Sequence, residues 1–196
     1  MKKSILFCTL LISSIVVFAQ YKGEEERERG FKRDRLFIGA GVNVGFSQGW
    51  ILGLNPEVGY SLTNFLDAGI ATNVNYITQN IGPGVRYRFF AVGGGPYLRA
   101  WILNQFFITS QFEFNRITEK FTGTFEPQRS IYTSPSLLVG AGWGSRQVGR
   151  SQFFTSIMID VLRNPNSPYV DRQTNTLLPV FRTGFMFYLK PAQERW

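Results

Sequence analysis

From Leu36 onward the chain repeats with a period of two, and that single feature dictates strands. Leu36, Ile38, Ala40, Val42, Val44 and Phe46 alternate with Phe37, Gly39, Gly41, Asn43, Gly45 and Ser47. In the next segment Trp50, Leu52, Leu54, Pro56, Val58 and Tyr60 take one face, and Gly53, Asn55, Glu57, Gly59 and Ser61 the other. A tight turn at 62–65 leads to a third segment, where Leu66, Ala68, Ile70, Val74 and Tyr76 oppose Asp67, Gly69, Ala71, Asn73 and Asn75. One face is aliphatic and aromatic. The other is rich in Gly and Asn, with isolated charges.

The same rule gives five more strands. Residues 78–92 carry Gly82-Pro83-Gly84 and two arginines, and read as a longer loop. Residues 93–102 form a fourth strand with Leu98, Ala100 and Ile102 outward and Tyr97, Arg99 and Trp101 inward. After a turn at Asn104-Gln105 the fifth, near 106–116, sets Ile108, Phe112 and Phe114 against Thr109, Gln111, Glu113 and Asn115. A loop runs through Pro127, and the sixth strand then holds Leu137, Val139, Ala141 and Trp143 opposite Ser136, Gly140, Gly142 and Gly144. A Gly/Arg turn near 145–150 precedes the seventh, with Phe153, Ile157, Ile159 and Val161 opposite Gln152, Ser156 and Asp160. A long loop opens at Asn164-Pro165, and the eighth, near 178–189, places Phe181, Phe185, Phe187 and Leu189 against Arg182, Gly184 and Tyr188.

The connections after strands three, five and seven are long, while those after two, four and six are short. Gln48-Gly49 is the exception among the would-be long ones. This pattern predicts an all-β fold, an eight-stranded antiparallel up-and-down transmembrane β-barrel with short periplasmic turns and longer extracellular loops, over residues 36–190. The strands match the ~9–11 residues needed to cross a bilayer at a tilt. Aromatics near strand ends (Trp50, Tyr60, Phe65, Phe106, Trp143, Phe153) resemble interfacial girdles. A soluble lipocalin-like barrel would also show eight alternating strands, but with its apolar face inward and its other face hydrated. Gly makes a poor hydrated exterior and suits the crowded interior of a narrow barrel.

The inward charges Glu57, Asp67, Arg99, Glu113, Asp160 and Arg182 need partners, because an unpaired charge in a narrow lumen is costly. At the expected depths Arg99 falls between Glu57 and Glu113, and Asp160 and Arg182 sit on neighbouring strands. A structural network of salt bridges filling the lumen is the expectation; a gated ion path is the alternative.

Upstream, Lys2-Lys3, the apolar run from Ile5 to Phe18 and Val17-Phe18-Ala19 predict a signal peptide over 1–19, cleaved after Ala19. Residues 20–35, with Glu24-Glu25-Glu26-Arg27-Glu28-Arg29, read as a charged periplasmic leader, and 191–196 as a C-terminal tail. Cys8, the one cysteine, leaves with the signal peptide, so no disulfide or thiol chemistry is expected. There is no histidine, which removes Ser-His-Asp hydrolysis and most transition-metal sites. No cofactor, metal site or enzymatic activity is expected. The formal charge is +8, and its excess reads as spread through loops and tails, suiting anionic lipopolysaccharide outside the cell and not nucleic acid.

Several runs carry a resemblance: Asn55-Pro56-Glu57-Val58-Gly59-Tyr60-Ser61-Leu62-Thr63, Gly93-Gly94-Gly95-Pro96-Tyr97-Leu98-Arg99-Ala100-Trp101, Gln111-Phe112-Glu113, Leu138-Val139-Gly140-Ala141-Gly142 and Asn166-Ser167-Pro168-Tyr169. With residues 36–46 they resemble small outer-membrane barrels of uncharacterised function in Bacteroidota, and more distantly the OmpX and OmpA barrel class. The resemblance implies an outer-membrane location and the barrel fold, and transfers no catalytic residue. Pro191 and the residues after it extend past the last strand, which departs from barrels that end on a terminal aromatic. Three functions stay open: a structural or interaction barrel, alone or as an accessory subunit of a larger outer-membrane complex; a narrow pore for ions or small solutes; and a secreted soluble barrel binding an apolar ligand.

Overall fold

The computed structural model describes residues 31–46, 49–123, 128–170 and 175–190. The predicted signal peptide, residues 20–30 of the charged leader, and the C-terminal tail lie outside them. Eight strands follow in chain order: β1 (Leu36–Phe46), β2 (Gly49–Ser61), β3 (Leu66–Gly82), β4 (Val85–Ile102), β5 (Phe106–Thr122), β6 (Gln128–Gly144), β7 (Gln152–Asp160) and β8 (Val180–Tyr188). Each pairs antiparallel with the next, and β1 pairs with β8, so the sheet closes into a barrel. The seam runs from Phe37 opposite Tyr188 to Val42 opposite Thr183. Closure satisfies the last strand edge, which an open sheet would leave as unpaired N–H and C=O groups.

The faces follow the period-two rule. Phe37, Tyr97, Trp101, Phe107 and Phe154 are buried inside, while Leu54, Ile70, Leu98, Ile108, Phe112, Ile157 and Phe185 stand exposed outside. Glycines on the inward face are what let these rings fit. A Cβ on Gly59 would run into the Tyr97 hydroxyl and the Phe37 ring, and one on Gly142 into the Phe107 ring. The interior at the end carrying the β2–β3, β4–β5 and β6–β7 turns is thus packed with rings: Phe37 lies 5.4 Å from Tyr188 and Trp101 4.7 Å from Phe107, centroid to centroid.

Two expectations need correction. Residues 78–92 are not a loop: β3 and β4 run on to a two-residue turn at Pro83-Gly84, where Gly82 pairs with Val85. Pro followed by a glycine at φ 75° is the sequence of a type II turn. Likewise β5 reaches Thr122 and β6 begins at Gln128, so most of the expected loop between them is strand. In these extensions the alternation changes sign. Ile77, Phe89 and Ile117 point inward and form a small apolar cluster, while Thr78, Arg88, Arg116 and Lys120 point outward. Among the described residues, the connection after β7 keeps the character of a long loop, with Val170 bridged to Leu177.

The positive excess is also less dispersed than its sequence suggests. Arg86, Arg88, Arg116, Lys120 and Arg129 stand on the outward face of three neighbouring strands. Because cross-strand neighbours are distant in sequence, the cluster is invisible until the register is known.

Leu54 and Phe112 are central on the outward face, 48% and 43% exposed. Either one changed to Arg should lower the folding free energy into phosphatidylcholine liposomes by about 2–4 kcal/mol, against about 0–1 for Thr118→Arg, nearer the rim. Denaturant titration of the folded fraction measures this, and equal, negligible costs at all three positions would show that the outward face does not meet hydrocarbon.

Candidate functional site

The interior charges are the only candidate the sequence singles out, and the strands bring them into three ion pairs. At the turn end Asp67 of β3 accepts from Arg146 Nη1 at 2.7 Å, from Trp101 Nε1 at 2.8 Å and from Ser61 Oγ at 2.8 Å. Arg146 belongs to the β6–β7 connection and folds back beneath the barrel. It also donates to the backbone carbonyls of Thr63 and Asn64 and to the Tyr188 hydroxyl. Both partners are almost wholly buried. Trp101 lies 5.4 Å from the guanidinium, and its ring covers the cation.

One level up, Arg99 of β4 makes a forked contact with Glu57 of β2, with Nη2 2.9 Å from Oε2 and Nη1 3.2 Å from Oε1. The rings of Tyr97, Phe107 and Phe154 surround the guanidinium at 4.9–5.3 Å. Planar delocalised charge tolerates such apolar walls better than an ammonium does.

The third pair is the most elaborate. Glu113 of β5 receives Arg182 Nη2 at 2.7 Å, Asn73 Nδ2 at 2.7 Å, the Tyr169 hydroxyl at 2.8 Å and Gln111 Nε2 at 2.9 Å. Arg182 Nη1 donates in turn to Gln111 Oε1 at 2.7 Å. Tyr169 descends from the β7–β8 loop, so this carboxylate ties the loop to the barrel. Burial first, and then the Glu113 carboxylate, raise the Tyr169 phenol well above its ordinary value and keep it a donor. Charge-assisted bonds of this kind are roughly twice as strong as neutral ones.

The placements differ in detail from the sequence expectation. Arg99 pairs with Glu57 but not with Glu113, whose partner is Arg182. Asp160 is on the strand next to that of Arg182 but four residues beyond Ser156, which stands opposite Arg182, and makes no bond to it. Its carboxylate instead accepts Ser167 Oγ at 2.6 Å and the amides of Leu137 and Leu162 at 3.0 and 3.1 Å, pinning the start of the long loop. Sequence reasoning missed Arg146, Tyr169 and Glu119, which accepts the Tyr87 and Tyr132 hydroxyls. Arg146 lies in a connection without periodicity; the only signal was Asp67, an inward carboxylate with no assigned cation.

Between Arg99 and Arg182 the lumen narrows to a void of ≈ 10 Å³, bordered by Glu57, Phe107, Gln111 and Phe154. That is about the space of one water, and a continuous water file needs far more. Each carboxylate of the three pairs is occupied by donors. None is left open to act as a general acid or base toward a substrate.

No protein-family profile and no curated protein matches the chain. Solved structures similar to it are small surface barrels. Neisserial surface protein A aligns at 10% identity over 79% of this chain and 96% of its own, with a TM-score of 0.47. Ail, an outer membrane protein of Yersinia pestis, aligns in a phospholipid nanodisc at 15% identity over 78% and 97%, with a TM-score of 0.42, and in a crystal at 15% over 77% and 91%, with a TM-score of 0.36.

Proposed function

We propose that the chain is a non-enzymatic integral barrel of the Gram-negative outer membrane, exported by its signal peptide, with a structural or interaction role alone or as an accessory subunit of a larger outer-membrane complex. The observation that carries this reading is the inversion of polarity across the wall. Below the hairpin tips large apolar side chains dominate the outward face, with Ile70 and Phe181 each 63% exposed and Leu98 54%. The strand carboxylates Glu57, Asp67, Glu113, Glu119 and Asp160 are all buried on the other side. A soluble monomer rarely exposes an apolar patch beyond a few hundred Å². Hydrocarbon makes that exterior favourable, and a closed barrel leaves it no backbone group to satisfy. The three short turns then face the periplasm, and the tall β3–β4 and β5–β6 hairpins stand outside among lipopolysaccharide.

The role is an interaction role because the lumen is closed. Arg146 seals one end, Tyr169 and its loop the other, and ring-flanked ion pairs fill the middle. Two expected outcomes follow from this. In cell fractionation the tagged protein should sediment with outer membrane, resist carbonate extraction and migrate faster unboiled than boiled; recovery as a soluble monomer without detergent would favour an apolar-ligand carrier instead. In planar bilayers the wild-type protein should give no stable open channel, and reproducible ohmic conductance from pure protein would make it a pore.

The ion pairs have their own signature. Arg182→Met strands the buried Glu113 carboxylate and should cost about 3–5 kcal/mol in unfolding free energy. Adding Glu113→Gln should restore most of that loss, because no charge is then left unpaired. Urea-dependent unfolding from liposomes reads both variants, and simple additivity of the two costs would remove the pair from the lumen's energetics.

A further inference from the structure

The outward cations occupy one patch with no acidic counterpart among the described residues. Arg86 and Arg88 of β4, Arg116 and Lys120 of β5, and Arg129 of β6 are all exposed. The register sets Arg88 opposite Lys120 and Lys120 opposite Arg129, so three like charges form a row across three strands. Like charges directly opposite one another destabilise a sheet. Among the described residues none of the five makes an ion pair, and every strand carboxylate points into the lumen. The described residues therefore leave this positive row uncompensated and open to a neutralising group from outside the protein.

Its height says what that something is. On β5 the outward residues Phe106, Ile108, Phe112 and Phe114 give way to Arg116, where the wall changes from apolar to polar. Lys120 is four residues further on, ~13 Å along a tilted strand at ~3.3 Å per residue. The patch thus starts at the edge of the hydrocarbon and climbs through a headgroup layer roughly 5–8 Å deep. A groove of ≈ 550 Å³ runs between these levels, floored by Tyr76, Phe90 and Val92 and rimmed by Arg88, Arg116, Lys120 and Arg129. It lies on the side of the barrel and not on its mouth, so its occupant must lie against the wall, where the neighbours are lipids.

We propose that this groove binds a multiply phosphorylated glycolipid of the outer leaflet, its acyl chains along Phe90 and Phe114 and its phosphates bridging Arg88, Lys120 and Arg129. Arginine forks match phosphate oxygens two at a time, which turns the repulsive row into a chelating one. The inference rests on the membrane reading and adds to it a site and a headgroup chemistry.

Native mass spectrometry of the full-length protein, folded in dodecyl maltoside, tests it with bis-phosphorylated lipid A, its dephosphorylated form and dioleoylphosphatidylcholine as probes. Wild type should retain lipid A about tenfold better than either other lipid, and the triple variant Arg88→Gln/Lys120→Gln/Arg129→Gln should lose that margin. Lys190→Gln, exposed at the opposite end of the barrel, should keep it. Gel mobility before and after boiling reports separately whether each variant is folded. Equal retention of the dephosphorylated lipid, an unchanged lipid A adduct in the triple variant, or displacement by excess inorganic phosphate or a polyglutamate peptide would each overturn the proposal. A wild-type chain that never forms a heat-modifiable barrel in detergent or lipid would instead sink the membrane reading; a folded one without lipid A preference sinks only this site.

Discussion

The antiparallel seam between β1 and β8 closes the sheet, and with eight strands the circle is just wide enough for side chains to fill. Everything inside answers to that width. Rings are admitted where a facing glycine yields the space of a Cβ, as Gly59 does for Phe37 and Tyr97. Charges are admitted only with bonding partners, guanidinium groups for Glu57, Asp67 and Glu113 and a hydroxyl with two amides for Asp160, because so little water can accompany them: the void between Arg99 and Arg182 is ≈ 10 Å³. Even so a few buried atoms, the Tyr97 hydroxyl and the Nε of both arginines among them, have no partner. The interior is dense but not fully satisfied.

Polarity is sorted along the barrel axis as well as across the wall. Over most of its height the apolar side chains face out. Toward the tips of the β3–β4 and β5–β6 hairpins the order reverses, with Phe89, Ala91 and Ile117 inside and arginine, lysine and threonine outside. The upper part is built like a soluble barrel and the lower part like its inverse. The cationic patch begins at Arg116, where one plan gives way to the other, and that coincidence of height, not charge alone, marks it as a headgroup contact.

This reversal also explains what the sequence did and did not reveal. Strand count, order and face were legible wherever one unvarying alternation held: residues 36–46 and 93–102 needed nothing but period two. Residues 78–92 were lost because Ile77, Tyr87 and Phe89 continue the alternation with the opposite sign, which reads as a break to anyone following the outward face. Gly82-Pro83-Gly84 was recognised as punctuation, though its turn type gave a hairpin in place of a loop. In the lumen, inward residues were identifiable by parity, but their partners were not. Which guanidinium meets which carboxylate depends on side-chain reach and on connections such as the one holding Arg146, and neither leaves a periodic trace.

The ion pairs share a feature of chain order. Glu57 precedes Arg99 by 42 residues, Asp67 precedes Arg146 by 79 and Glu113 precedes Arg182 by 69. In each case the acid is synthesised first and its cation arrives later, the last of them on the final strand. A sheet formed only through β5 would hold Glu57 already paired with Arg99, but Asp67 and Glu113 still without their guanidinium partners. The N-terminal half thus carries one complete pair and leaves two carboxylates to be answered by the C-terminal half. The final strand, β8, brings both the closing edge of the sheet and the last neutralising group.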